Sequence, residues 1–166
     1  MDKAMDSVEF ALRLVLIVAL AIHSVLDVTD PCHGAKSYML QIDYDQNQIP
    51  RWLLPAKGAL MAVAAVALSW FSDNVFVCAL ALGYASAMWS GAVFFHVRQR
   101  HHPAATLPAG FFVLLVFVIA ALRFSVLLAI LGTAVCALLA WVLARVLVAE
   151  ADTDNQPILQ NKGVDG

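Results

Sequence analysis

The chain has 166 residues, of which 62% are hydrophobic and 13% charged, and its mean hydropathy is +0.81. Soluble domains are about 45–50% apolar and about 25% charged, and a small domain hides only about two-thirds of its chain surface, so the apolar excess excludes a water-soluble protein and calls for lipid. A net charge of −2 without any basic stripe excludes nucleic acid as a partner.

A hydrocarbon core about 30 Å thick takes about 20 apolar residues per helix, and five runs approach or exceed that length: 10–26, 52–71, 75–97, 104–122 and 124–149. Uninterrupted runs of this kind are unlike the short alternating strands of a barrel. The expected fold class is all-α, a polytopic transmembrane helix bundle in lipid. The composition suits a bacterial plasma membrane and a eukaryotic organelle membrane equally.

The first run carries Arg13 and His23. Its Ala19-Leu20-Ala21 imitates a signal-peptide cleavage site, but Asp2, Asp6 and Glu9 stand where a signal peptide would be basic. It ends with His23 and Asp27 one helical turn apart and Asp30 three residues later, which presents an imidazole and two carboxylates together. Pro31 then stops the helix, and Cys32-His33-Gly34 opens a long loop to Arg51.

The second run has Trp52 and Trp70 near its ends, as interfacial anchors, and a small face around Gly58, Ala59, Ala62 and Ala65. After the turn Ser72-Asp73-Asn74, the third run repeats small residues every four positions: Ala79, Gly83, Ala87 and Gly91. Such stripes let helix backbones approach closely, and the two small faces are expected to meet as a tight hairpin. The third run closes on His96, and Arg98, Arg100, His101 and His102 follow it to Pro103.

The last two runs are separated only by Arg123 and its neighbours. As one helix they would reach roughly 70 Å at 1.5 Å per residue, so the chain must turn back. Arg123 is the expected turn, because a charge is costly at the bilayer centre and tolerable at its surface. Residues 150–166 form a polar tail without apolar period, expected to be disordered.

Five spans put the two termini on opposite faces. Lys36, Arg51, Lys57, Arg98, Arg100, Arg145 and Lys162 gather on the long-loop face, against Lys3, Arg13 and Arg123 on the other. The positive-inside rule then places the long loop and C-terminus in the cytoplasm.

Polar groups at membrane depth call for an explanation, and His23, Asp27, Asp30, Lys57 and His96 all fall toward the long-loop face. Three explanations stay open. The carboxylates neutralise Lys57 or Arg51 while the histidines are interfacial; or His23, His33, His96, His101 and His102 contribute to a metal or haem site, although no pair has a diagnostic spacing; or His23, Asp27, Lys57 and His96 line a pocket for a small polar head, such as a quinone or lipid headgroup. Cys32, Cys78 and Cys136 form no Cys-x-x-Cys pair. With no phosphate loop, nucleophile motif or dinucleotide fingerprint, the expectation leans away from an enzyme and requires no cofactor or metal.

The order of Asp27-Val28-Thr29-Asp30-Pro31, Lys57-Gly58-Ala59-Leu60, Phe94-Phe95-His96 and Ala121-Leu122-Arg123 resembles the DoxX-like family of small membrane proteins, across residues 10–123. The resemblance implies four core helices, to which the fifth span is additional. Relatives include a quinone-reducing oxidoreductase subunit and receptor-assembly helpers. Many carry a glutamate just after the glycine of the second span; the nearby residue here is Met61, which weakens chemistry dependent on that acid. The expectation is a non-catalytic accessory or assembly factor, associating with other membrane subunits or itself. The alternative is a quinone-linked redox subunit or small-molecule binder using the polar cluster.

Overall fold

The computed structural model describes residues 3–29, 36–37, 42–43, 52–98, 100 and 102–154. The described residues form α1 (Lys3–Thr29), a two-residue antiparallel ladder of β1 (Lys36–Ser37) and β2 (Ile42–Asp43), then α2 (Leu53–Trp70), α3 (Val75–Arg98), α4 (Pro103–Arg123) and α5 (Val126–Asp154). All five helices contain a segment long and apolar enough to cross a membrane. The chain is an all-helical, multi-pass membrane bundle.

Local chemistry sets where three of the helices begin. The first N–H groups of a helix lack partners within it. Asn74 Oδ1 accepts from Val77 N at 3.1 Å, His102 Nδ1 from Ala104 N at 3.2 Å, and Ser125 Oγ from Leu128 N at 3.2 Å. Proline at the start of α4 costs nothing there, since its missing N–H would have had no partner. The expected reversal at Arg123 is present: α4 ends on that residue, and its Nη2 donates to Ser72 O at 2.6 Å. The α4–α5 turn is thereby tied to the α2–α3 turn at one face of the bundle.

Helices α1 to α4 close a ring, each packing on the next and α4 returning to α1, while α5 lies outside against α3 and α4. In the most apolar stretch of α3, 39% of residues are buried, against 6% in α5. Helix α3 is therefore the shared wall and α5 a largely lipid-covered addition. The core runs along the ring interior through Leu16, Leu20, Met61, Leu68, Val116 and Ile119. Without a hydrophobic drive between helices in lipid, close packing of such side chains holds the ring.

The small-residue faces meet different partners from those expected. Helices α2 and α3 pack on each other less extensively than α1 and α2, and a close backbone approach joins α2 to α1 at Gly58. A Cβ on Gly58 would lie 2.9 Å from Asp27 Cβ and 3.0 Å from Ser24 O, so only glycine fits at this approach. Ala59 and Ala62 are exposed. On α3, Ala79 is exposed, and a Cβ on Gly83 would lie 3.8 Å from Cys136 Sγ of α5. Two boundaries also move: α1 runs from Lys3 to Thr29 instead of 10–26, so Asp27 is helical, and α5 continues to Asp154 instead of ending at 149. Residues 155–166 lie outside the described residues.

Candidate functional site

The close α1–α2 approach at Gly58 has a chemical consequence one residue away. Lys57 is brought beside Asp27, with Nζ 3.0 Å from Oδ2 and side-chain exposures of only 19% and 6%. An ion pair so far removed from water is held tightly, because separating it leaves a charge without compensation. From α3, Tyr84 Oη donates to Lys57 O at 2.9 Å. This bond ties α2 to α3 where small residues leave the helices apart.

One turn before Asp27, His23 points into the ring. Its imidazole meets Trp89 of α3 edge-on, with centroids 4.8 Å apart and planes at 80°, and Trp89 stacks on Phe112 of α4 at 4.5 Å and 19°. Three helices are thus joined through aromatic faces and edges, in the offset and T-shaped arrangements that ring quadrupoles favour. Trp89 is 2% exposed, and its Nε1 has no hydrogen-bond partner among the described residues. A buried indole N–H usually finds an acceptor.

Beside this group lies a cavity of about 420 Å³, walled by α2, α3 and α5 with His23 contributed by α1. Its origin is legible in residue size. Ala56 on α2, Ala87 and Gly91 on α3, and Ala140 and Ala144 on α5 face one another across it, and a Cβ on Gly91 would meet nothing within 4 Å. The turn at Ser72–Asn74 holds α2 and α3 together at the opposite face, so the gap lies in the half of the bundle toward the long loop. Both α2 and α5 wall the cavity, yet they share no packed interface. Leu60 and Leu143, from these two walls, are 53% and 61% exposed. Among the described residues, no helix–helix interface closes the cavity between these two walls. Leu53, Met61, Met88 and Phe95 give it an apolar lining, with Lys57, His23 and Tyr84 as its polar walls.

The expected site residues divide accordingly. His23 and Lys57 wall the cavity, and Asp27 holds Lys57. His96 is 4% exposed, two turns beyond Trp89 along α3, and is not among the cavity walls. Asp30, His33, Arg51 and His101 lie outside the described residues, while His102 uses Nδ1 as a helix cap. Of the α3 stripe, Ala87 and Gly91 border the cavity, whereas Ala79 and Gly83 do not. Among the described residues, no three His, Cys, Asp or Glu side chains converge on a point that could hold a metal ion.

Residue-by-residue reading overlooked Trp89 and Tyr84. Trp89 stands mid-span in α3, whereas Trp52 and Trp70 flank the ends of α2, and that position was the available signal. It also overlooked a second buried pair, at the other end of α1. Arg13 Nε lies 3.7 Å from Glu9 Oε1, with side-chain exposures of 11% and 7%; the i, i+4 spacing was the signal there. Compared with known proteins, the chain matches no family model, no curated protein and no solved structure.

Proposed function

We propose that the protein is an integral membrane binder of a lipophilic molecule with a small polar head, held between α2, α3 and α5. The observation that carries this is the cavity of about 420 Å³, within the size range of small-molecule sites. Its walls are apolar, and its polar groups converge from α1, α2 and α3. Its mouth between α2 and α5 faces the phase in which such a molecule would dissolve. Lys57 and Asp27 serve as a fixed polar floor, and no reacting group is required.

The test compares the wild-type protein with Gly91→Leu, both purified in mild detergent, extracted with organic solvent and quantified by mass spectrometry. Wild type is expected to carry about one lipophilic molecule per chain and the variant at least about tenfold less, a difference of about 1.4 kcal/mol or more in binding. Equal yields from the two proteins would contradict the proposal. Ala140→Leu, from the opposite wall, repeats the test should the first variant express poorly.

An accessory role in a larger membrane complex draws on a different feature, the outer face of α5, where Leu127, Leu131, Leu138 and Trp141 are exposed. Cross-linking in the native membrane would recover a partner on that face if one docks there. Kinship with DoxX-like proteins is likewise a proposal; the closed α1–α4 ring with α5 outside it is the feature that supports it.

A further inference from the structure

The cavity occupies one half of the bundle's depth. Its walls run over residues 52–61 of α2, 84–95 of α3 and 140–144 of α5. At 1.5 Å per residue the longest of these stretches rises about 16 Å, and a hydrocarbon core is about 30 Å thick, so the cavity is as deep as one leaflet. Its floor lies at the next residues toward the short turn. A Cβ on Gly83 would sit 3.8 Å from Cys136 Sγ, an ordinary contact distance. The space there admits a methyl group and no acyl chain. Farther toward that turn, Leu68 and Cys78 are wholly buried.

The other end lies at the long-loop face. Trp52 immediately precedes α2, and Phe95 stands within the last turn of α3, which ends at Arg98. Lys57, in the second turn of α2, carries its ammonium toward the same end, as lysines near the ends of membrane spans do. A volume of about 420 Å³ stands near the lower bound for small-molecule sites, which suits part of a membrane lipid. We infer that the guest is a lipid of the leaflet on the long-loop side, one acyl chain of which enters between α2 and α5, and that lipids of the opposite leaflet are kept out by the Gly83–Cys136 floor. This rests on the binding role proposed above and adds the source of the ligand.

Bromine in an acyl chain quenches tryptophan only on close approach, and Trp89 walls the cavity. Trp52→Phe, Trp70→Phe and Trp141→Phe together leave it as the sole tryptophan. This protein, with a C-terminal tag, is reconstituted into unbrominated vesicles at no more than one chain each. The outer leaflet alone is then exchanged for phosphatidylethanolamine with dibrominated chains, whose head does not cross the bilayer during the measurement. Because α5 runs from the Arg123 turn to the long-loop face, capture by the tag separates vesicles with that face outward from those with it inward. Quenching that survives when Gly91→Leu or Ala140→Leu fills the cavity measures bulk lipid and is subtracted.

The remaining quenching is expected in the fraction with the long-loop face outward and should be lost in the other. Equal quenching in both fractions, or quenching in the inward fraction alone, would overturn the leaflet assignment while leaving the binding role standing. Quenching in neither would overturn a bilayer lipid as the guest, and the extraction comparison of wild type with Gly91→Leu then judges the binding role by itself.

Discussion

The two ends of the bundle carry similar chemistry in opposite packing. At the short-turn end, α2 and α3 are held by Ser72–Asn74, Arg123 links two turns, and Leu16, Leu68 and Cys78 are wholly buried. The Glu9–Arg13 pair there is enclosed and is not among the walls of the cavity. At the long-loop end, the Lys57–Asp27 pair is also largely removed from water but stands at the wall of an open space. The difference lies in the residues between the helices. Large side chains interlock at one end, and alanines and glycines at the other leave a gap once α5 is laid against α3. Small residues in a membrane helix, usually a sign of close packing, can instead mark a void when their facing helix is small-faced too.

Mutations at the two ends should therefore fail in different ways. The largest loss of stability is expected for Asp27→Leu, which leaves Lys57 without its counter-charge. Breaking a buried pair costs about 3–5 kcal/mol, with the lower part of that range fitting a lysine that keeps some exposure. Pairing it with Lys57→Met should recover most of the loss, as measured by unfolding in detergent. The milder Asp27→Asn keeps the size of the side chain and should cost less than Asp27→Leu in the same unfolding measurement.

At the closed end, Leu68→Ala should cost about 2–3 kcal/mol by leaving an unfilled space, while the amount of co-purified lipophile per folded chain stays unchanged. Gly58→Ala sits between the two cases. It forces α1 from α2 at a cost of about 1–3 kcal/mol, and by moving Asp27 from Lys57 it should also lower occupancy. Gly91→Leu should have the smallest effect on stability, within about 0.5 kcal/mol, since its side chain enters open space. It should nonetheless remove the guest. A matched loss of stability and occupancy in both Leu68→Ala and Gly91→Leu would erase the contrast between the ends.

Much of the architecture was legible in the sequence because lipid imposes a length on each apolar run. The reversal at Arg123 followed from the cost of a charge at depth, and the nearness of His23, Asp27 and Lys57 followed from their shared face. The neighbour of each small-residue stripe was not legible. A glycine announces that something comes close without saying what, and the short Ser72–Asn74 turn made α3 the obvious partner for α2. The long connection from Thr29 to Trp52 hid the fact that α1 is the nearer one. Likewise, the cavity depends on the absence of side chains from three helices at one level, which no single segment reveals. Glu9 and Arg13 read as the polar start of a span, whereas α1 buries both inside the ring.

The most direct measurement is where a lipid photoprobe attaches. A diacylglycerol with a diazirine in one acyl chain, activated in the native membrane, should label the cavity walls on three helices together: residues 56–60 of α2, 87–91 of α3 and 140–144 of α5. That labelling should be saturable, competed by unlabelled diacylglycerol and absent from Gly91→Leu. Labelling confined to outward residues such as Leu80, Leu128 and Val135, unsaturable and unchanged in Gly91→Leu, would contradict a lipid-filled cavity.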